Sequence, residues 1–162
     1  MSRMTDPMDA LVKLQRALDR KYPLVTQRCD IYEDLTLIAD EPSPGCRRMT
    51  YAKLDFKGRV IALSVFADAG HIDGIPVFQA GNAVLASRRR RGLGESILSK
   101  GLEELTQGLK RAGVEKFYIE GVVAVNNEAS NKIASRVLSP DPVAVTDEFC
   151  NKPALQYLKL IL

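Results

Sequence analysis

One junction, the stretch from Val84 to Glu95, constrains the fold of this chain more than any other feature. It reads as the end of an apolar strand, four consecutive arginines, a Gly-Leu-Gly segment and the start of a long amphipathic helix. A helix N-terminus presents unpaired N–H groups and a partial positive charge, so it can bind a phosphate group. Glycines let the phosphate approach the backbone, and arginines add charge and forked donors. The junction therefore predicts a site for a phosphorylated ligand.

Two common phosphate-binding motifs do not match this junction. A Walker loop requires Lys-Ser or Lys-Thr after its second glycine, whereas Gly94 is followed by Glu95 and Ser96. The dinucleotide fingerprint requires three spaced glycines, and this stretch has only Gly92 and Gly94. What the residues do match is the pattern Arg-x-x-Gly-x-Gly, which runs from Arg89 to Gly94.

The composition predicts one ordinary globular domain over residues 1–162, with 46% hydrophobic and 27% charged residues. The net charge is only +3 and four of the positive charges lie in Arg88–Arg91, which favours an anionic ligand at one place over a nucleic-acid surface. Three scattered cysteines and one histidine predict no metal site and a reducing, cytoplasmic compartment. No apolar run is long enough to span a membrane, so no membrane partner is expected.

The first half of the chain predicts a helix followed by antiparallel strands. Thr5 or Asp6 can cap the helix, which packs on the domain as residues 1–23 and ends at Pro23. Short turns that contain glycine separate the strands that follow it. The predicted strands cover residues 31–39, 51–56, 60–66 and 75–85, with a loop at 41–45. The last strand is broken at Gly81–Asn82, which indicates a bulge or a close approach by another group.

The second half predicts helices that alternate with strands. A leucine-rich stripe begins at Leu93 and its helix stops at Gly113. A largely apolar strand over residues 117–125 follows, buried on both faces, and Asn126 or Asn127 caps the next helix. The inner stripe of that helix is Ala129, Ile133 and Val137, and strands at 143–149 and 155–160 end the domain. Strand, helix and strand around the arginines imply a parallel, right-handed crossover beside the antiparallel strands.

A second motif adds to the first and together they resemble one known family. Residues 123–130 read Val-Ala-Val-Asn-Asn-Glu-Ala-Ser, about thirty residues after the arginine motif and separated from it by one helix and one strand. Both motifs and the order of elements from about Ile31 onward resemble the GNAT superfamily of acyl-CoA-dependent acyltransferases. The resemblance implies an α/β fold of α+β type with a mixed sheet. An antiparallel N-terminal meander would be joined to the C-terminal part by a parallel strand pair that splays around the cofactor.

The resemblance also implies a cofactor, acetyl-CoA or another acyl-CoA, and residues that bind it. Backbone groups near Val84 and Ala86 would pair with the pantetheine arm, and a backbone N–H near Val84 or Leu85 would stabilise the oxyanion. Asn127 would approach the pantetheine arm from the other side of the cleft. The remaining cofactor residues implied are Arg89, Arg90, Arg91, Gly92, Leu93, Gly94 and Glu95, around the pyrophosphate, and Ser130 at the start of the next helix.

The implied reaction transfers an acyl group, acetyl above all, from the thioester to a primary amine of a small molecule or a protein. Glu120 is the candidate base and Tyr118 a weaker one, because both lie in the strand where family members sometimes carry a catalytic carboxylate. Many members place a tyrosine, which acts as the general acid, on the helix after the asparagine motif. This chain has Ile133 or Ala134 there.

Three interpretations therefore stay open at the level of the sequence. The first is an N-acyltransferase, whose acceptor carries no signature in the chain. The second is a protein of the same fold that binds acyl-CoA without catalysis, which the missing tyrosine motivates. The third is a small nucleic-acid-binding domain that uses Arg88–Arg91, which is disfavoured because no aromatic residue is interleaved with the arginines. A homodimer through the C-terminal strands or the first helix is compatible with each of them.

Overall fold

An eight-stranded mixed sheet forms the centre of the computed structural model, which describes residues 6–148 and 150–162. Its strands are β1 (Thr26–Arg28), β2 (Leu35–Ser43), β3 (Cys46–Leu54), β4 (Val60–Ile72), β5 (Ile75–Val84), β6 (Phe117–Ala124), β7 (Val143–Thr146) and β8 (Pro153–Ile161). Their order across the sheet is β1-β2-β3-β4-β5-β6-β8-β7. The helices are α1 (Pro7–Asp19), α2 (Leu93–Arg111) and α3 (Glu128–Val137), with a 3-10 turn at Ala86–Arg88. The predicted α/β fold with a mixed sheet is therefore confirmed.

The parallel pair of β5 and β6 is the feature of this sheet that positions the site. All other neighbouring strands are antiparallel. β5 and β6 pair only over Val77–Gln79 and Tyr118–Glu120, although both strands continue beyond those residues. Past Gln79 and Glu120 the two strands therefore separate, as predicted, and their facing edges carry backbone groups without a strand partner.

The helices cover the two faces of the sheet unequally. Alternate residues of β4 point to opposite faces, so Phe66 packs under α2 while Val65 packs under α1. α2 and α3 cover one face over a core that includes Phe78 and Phe117, whereas α1 covers the strands around β4 on the other face. Each fully buried side chain of this size contributes about 1.5–3 kcal/mol to folding. Among the described residues, no helix is long and apolar enough to cross a membrane.

α2 forms because an apolar stripe recurs at helical spacing behind a left-handed glycine. Gly92 precedes the helix with φ +75°, a backbone conformation that glycine adopts without strain. The predicted stripe is buried from Ile97 to Leu109. At Gly101 a Cβ would clash with Oγ of Ser64 in β4, so the helix lies closer to the sheet there than any side chain would allow.

The N-terminal strands differ from the prediction in their bounds. The strand predicted at 31–39 begins at Leu35, the loop predicted at 41–45 is strand as far as Ser43, and β1 was not predicted. Phe56, the last residue of the strand predicted at 51–56, is instead 91% exposed in the turn after β3. The turn begins there because the carboxylate of Asp55 accepts hydrogen bonds from the N–H groups of Lys57 and Arg59, both at 2.9 Å.

Three further expectations are wrong in detail. Gly81–Asn82 is not a bulge, because both residues keep register with β4, and the register shifts instead between Asp68 and His71. β6 is not buried on both faces, since its burial alternates along the strand. In α3 the buried residue is Ala134, whereas Ala129 is exposed. Asp6 caps α1 by accepting from Met8 N–H at 2.8 Å, and the alternative cap, Thr5, lies outside the described residues. Phe149, the end of the strand predicted at 143–149, also lies outside them.

Candidate functional site

A cleft of about 1110 Å³ opens where β5 and β6 separate, and the first turns of α2 and α3 border it on one face of the sheet. The residues predicted to bind cofactor that line this cleft are Val84, Arg89, Arg90, Gly92, Leu93, Gly94, Glu95, Asn127 and Ser130. Leu85, Ala86 and Arg91 belong to the same segment but do not line the cleft. The two motifs, about thirty residues apart in the chain, thus meet across one cavity.

Unpaired backbone N–H groups line the α2 side of the cleft. The first hydrogen bond of the helix runs from Ser96 N–H to the Gly92 carbonyl, at 3.1 Å. Within the part of the chain that the structure describes, no acceptor is recorded for the N–H groups from Arg90 to Glu95. Arg90 and Gly92 have left-handed φ angles of 64° and 75°, which curve the loop that carries these donors. Such a row of donors at a helix N-terminus can bind a phosphate group.

The arginine run does not form one cationic surface. Arg88 pairs with Asp55 at 3.4 Å, so it ties the loop to the turn between β3 and β4. Arg89 donates from Nε to the Val84 carbonyl at 3.2 Å, and its Nη2 lies 3.7 Å from Sδ of Met8 in α1. Arg90 lines the cleft and is exposed, without an ion pair to any described residue.

Hydrogen bonds within its own turn favour the ionised form of the Asp55 carboxyl group. The N–H groups of Arg59 and Lys57 and, more weakly, the guanidinium of Arg88 hold the pKa of this carboxyl below its usual value. The ionised carboxylate therefore accepts from backbone and arginine together. The sequence reasoning missed this pair, because the two residues are 33 positions apart and no local pattern links them.

The start of α3 forms the opposite wall. Oδ1 of Asn127 accepts from Ser130 N–H at 3.2 Å and so caps the helix, which satisfies one of its free donors. Asn131 donates to the carbonyls of Ala124 and Asn127, both at 2.9 Å, and accepts from the hydroxyl of Tyr157 at 2.8 Å. Asn131 and Tyr157 were not predicted, although an asparagine one turn after a cap is a usable signal. They hold the turn that presents Asn127 to the cleft.

The separated edge of β5 presents alternate backbone groups to the cleft. Leu85 N–H donates to the Ile61 carbonyl of β4 at 2.8 Å. Successive residues of a strand direct their backbone groups to opposite edges, so those of Val84 point away from β4 and into the cleft. Asn82 has the same direction, and its side chain donates to the Gly94 carbonyl at 3.3 Å. Asn82, at the strand break noted in the sequence, thus links β5 to the first turn of α2.

Glu95 and Ile133 fill the gap between the two helices. Oε2 of Glu95 lies 3.2 Å from Nη1 of Arg136, so an ion pair joins α2 to α3. Ile133 lines the cleft, and its Cδ1 packs against Gly94 near Val84. Ile133 and Ala134 are the alternatives for the tyrosine position of the family, and both line the cleft without a group that can donate a proton.

Glu120 lies where β5 and β6 begin to separate, and its side chain is on the face of the sheet opposite to α2 and α3. Its strand neighbour Ile119 packs under α2, so the Glu120 side chain points to the other face. Its Oε2 accepts from Nε2 of Gln156 at 2.8 Å, and its register partner in β5 is Gln79, the last paired residue. Among the residues that the structure describes, no group of three or more His, Cys, Asp or Glu could hold a metal ion.

No protein-family model and no curated protein matches this sequence, whereas solved structures do. A Bordetella pertussis protein described as a putative GnaT-family acetyltransferase superposes with a TM-score of 0.50 at 19% identity, covering 72% of this chain and 67% of that one. A spermidine N-acetyltransferase chimera of SpeG from Vibrio cholerae and hSSAT gives 0.52 at 14% identity, covering 73% and 68%. RimJ of Mycobacterium smegmatis, in complex with CoA-disulfide, gives 0.53 at 14% identity, covering 70% of this chain and 53% of its own. At identities this low, the superpositions establish a shared fold and nothing more.

Proposed function

We propose that this chain, which has the GNAT fold, is an acyl-CoA-dependent N-acyltransferase that transfers an acetyl group to a primary amine. One observation carries the proposal: the N–H groups from Arg90 to Glu95 have no acceptor among the described residues, and the loop that carries them lines the same cleft between two separated strands as Asn127 does. A row of donors, a cationic loop and an open strand edge match in turn the pyrophosphate, the ribose phosphate and the pantetheine amides of CoA.

The cofactor would bind along the α2 side of the cleft. The N–H groups from Arg90 to Glu95 would hold the pyrophosphate, with the side chains of Arg90 and Arg91 as mobile counter-charges. The pantetheine arm would pair with the edge of β5 at Asn82 and Val84, as an added strand does. Asn127 and Ser130 would contact it from α3. Leu85 and Ala86 would contribute by shaping the end of β5, because they do not line the cleft.

The reaction requires one nucleophilic attack and two proton movements. The nitrogen of a neutral amine would attack the carbonyl carbon of the thioester, and the C–S bond of the thioester would then break. CoA would leave as a thiolate, which takes a proton from water. The Val84 N–H would stabilise the oxyanion, since that of Leu85 is already donated to Ile61. Glu120 would accept the amine proton, directly or through water, with its carboxylate oriented by Gln156.

A second candidate, an acyl-CoA-binding protein without catalysis, has one specific observation in its favour. Ile133 places methyl groups beside Gly94 and Val84, where other members of the fold can carry a proton donor. The third interpretation, nucleic-acid binding through the arginine run, loses support because Arg88 already pairs with Asp55. One of the four cations is therefore neutralised within the fold.

The acceptor is proposed only by class: an aminoglycoside, a polyamine, an amino acid or a protein amine. One of the similar structures is named as a spermidine N-acetyltransferase, but at 14% identity that name does not select the acceptor of this chain. The face that carries Glu120 also exposes Leu158 and Leu160 of β8, so an acceptor with an apolar part beside its amine would fit there. A cytoplasmic location and a homodimer stay predictions.

The test is calorimetric titration of the folded protein with acetyl-CoA and CoA, followed by detection of thiol release with a panel of amines. Arg91→Ala/Gly92→Asp should abolish binding, because it removes a cation and places a carboxylate among the free N–H donors. Binding with amine-dependent thiol release supports the acyltransferase, and binding without release on any amine supports the second candidate. No binding by the folded wild-type chain would overturn both.

A further inference from the structure

We infer that the acceptor of the proposed reaction is a monoamine that carries no other charge and has an apolar group beside its amine. This inference rests on the proposed function, because it names the class of acceptor in that reaction. Its starting point is the charge content of the sheet on the two sides of the cleft. Strands β5, β6, β7 and β8 together contain two charged residues, Glu120 and Lys159.

Only one of these two charges lies on the face where the acceptor would bind. Lys159 is on the other face, since its Nζ donates to the Val137 carbonyl at the end of α3, at 3.3 Å. Among the residues of these four strands, Glu120 is therefore the single charge on the face opposite to α2 and α3. Affinity for an acceptor with several ammonium groups comes from a carboxylate opposite each of them, and a free amino acid needs a cation for its carboxylate. These strands offer neither.

The cleft does not supply a second carboxylate for an acceptor. Five cationic and three acidic side chains line it, so there is no surplus of negative charge. Two of the three acids already have partners, since Glu95 pairs with Arg136 and Oδ1 of Asp6 accepts from Met8 N–H. The third, Glu128, lies in the first turn of α3, on the cofactor side. A polyamine or an aminoglycoside would thus bring ammonium groups that find no counter-charge.

The surroundings of Glu120 on this face are apolar or neutral. Leu158, its partner on β8, is 37% exposed, and Leu160, the partner of Tyr118, is 40% exposed. Gln79 is the register partner of Glu120 on β5, and its side-chain amide has no hydrogen-bond partner among the described residues. An apolar group of the acceptor that covers the two leucines removes them from water, which favours its binding. The amide of Gln79 can hydrogen-bond a neutral group beside the amine.

The experiment compares four amines in the thiol-release assay with acetyl-CoA, with kcat/KM referred to the concentration of the neutral amine. Leucinamide has each of the inferred features, whereas glycinamide lacks the apolar group, leucine adds a carboxylate and spermidine adds ammonium groups. We expect kcat/KM for leucinamide to exceed each of the others by about tenfold or more, the range that a small apolar group gives in specificity. Equal values for leucinamide and glycinamide, or a preference for leucine or spermidine, would overturn the inference and leave the proposed function standing. If no amine releases thiol, both fall together.

Leu160→Glu should change this preference in a defined direction. It places a second carboxylate on the face, diagonal to Glu120 and at a position already open to water. We expect kcat/KM to fall about tenfold for leucinamide and to rise about two- to fivefold for spermidine, the range of one exposed ion pair.

Val25→Glu is the matched control for this variant. Val25 is also an exposed apolar residue, but it lies just before β1 at the opposite edge of the sheet, so the same added charge should change neither value. CoA affinity, which reports that each variant is folded, should equal that of the wild type, because neither residue lines the cleft. An unchanged amine preference in a Leu160→Glu chain that binds CoA normally would overturn the inference.

Discussion

Cδ1 of Ile133 in α3 lies 2.9 Å from the point where a Cβ on Gly94 would stand, so the two helices that border the cleft meet at a residue without a side chain. Val84 and the amide of Asn82 surround the same point, at 3.6 and 3.2 Å. The second glycine of the arginine motif therefore leaves room for the end of the Ile133 side chain, in addition to any approach of a ligand. This arrangement leads to the first prediction.

Gly94→Ala should destabilise the protein by about 1–3 kcal/mol, because the new methyl group must push Ile133 and Asn82 aside. Adding Ile133→Val, which shortens the opposing side chain, should recover part of that loss. Gly108→Ala is the control, since Gly108 lies in the same helix with open space around its Cα and should gain roughly 0.5–1 kcal/mol. Urea denaturation measures all three variants, and equal stabilities for the two alanine variants would contradict the packing argument.

Glu104 is predicted to hold the segment before β2 in place. Its carboxylate, 4% exposed on α2, accepts from the N–H groups of Asp30, Ile31 and Tyr32 at 2.9, 2.6 and 2.7 Å. Glu104→Gln replaces an acceptor oxygen by a donor and should lower the free energy of unfolding by about 2–3 kcal/mol.

The neighbouring Glu103 is the control for that variant. It is exposed and accepts one hydrogen bond, from the hydroxyl of Tyr32 at 2.7 Å, so Glu103→Gln should lose clearly less stability. CoA affinity should be the same in both variants, because neither residue lines the cleft. A stability loss of equal size in the two variants would refute the anchoring role of Glu104.

The thiol of Cys29 should be unreactive near neutral pH. Its pKa is raised from 9.0 to about 11 by burial first and then by the charges of Glu104, Asp30 and Asp34. The thiolate fraction is therefore small until the pH approaches 11, whereas Cys150 is exposed. In alkylation followed by mass spectrometry, Cys150 should react well before Cys29 at pH 8, and the reverse order would contradict the structure.

The same pKa shift gives a dependence of stability on pH. Cys29 keeps its proton more tightly in the folded chain than in the unfolded chain, so the associated stability is fully present below pH 9 and is lost as the pH rises toward about 11. Burial raises the pKa of Tyr51 as well, which adds to the loss at high pH. In Cys29→Ala the decline between pH 9 and 11 should be shallower, as measured by urea denaturation at each pH.

Two nearby positions of the arginine run, Arg88 and Arg90, should separate stability from binding. Arg88→Ala removes the partner of Asp55 and should lower the melting temperature. Arg90→Gly should leave it nearly unchanged, because relief of the left-handed φ of 64° offsets the greater freedom of the unfolded chain. Arg90→Gly should instead weaken binding of inorganic pyrophosphate, measured by calorimetry, and an unchanged affinity would remove Arg90 from the phosphate site.

Glu120→Gln should lower kcat strongly and leave the affinity for CoA unchanged, since Glu120 does not line the cofactor side of the cleft. Tyr118→Phe tests the weaker candidate base two residues away on the same face, and it should retain turnover if Glu120 is the base. The measurement is thiol release with an accepted amine at several pH values. Normal turnover by Glu120→Gln would show that another group or water removes the amine proton.

Local patterns predicted much of the fold, as β6 and α2 show. The stripe from Ile97 to Leu109 needed only helical spacing, and the bounds of α2 followed from Gly92 and Gly113. The start of β2 could not be found in this way. Ile31 reads as strand, but its N–H group binds the carboxylate of Glu104, 73 residues later, and so leaves the sheet.

The cleft shows the same division. A cap at Asn126 or Asn127 was predicted because capping is a property of consecutive residues, and the structure assigns it to Asn127. The link from Asn82 to Gly94 and the pair of Arg88 and Asp55 were not recognised, because each joins residues that only the folded sheet brings together.

The sequence by itself determined the order of the elements from β2 onward and the glycine-containing junction between β5 and α2, since helix caps, glycine conformations and hydrophobic periodicity act between neighbours in the chain. The tertiary structure alone decided which arginines stay available, where β5 and β6 part, and that methyl groups of Ile133 stand beside Val84. Each of these depends on the contacts and competing hydrogen bonds of residues far apart in the chain, and such contacts exist only once the sheet has formed.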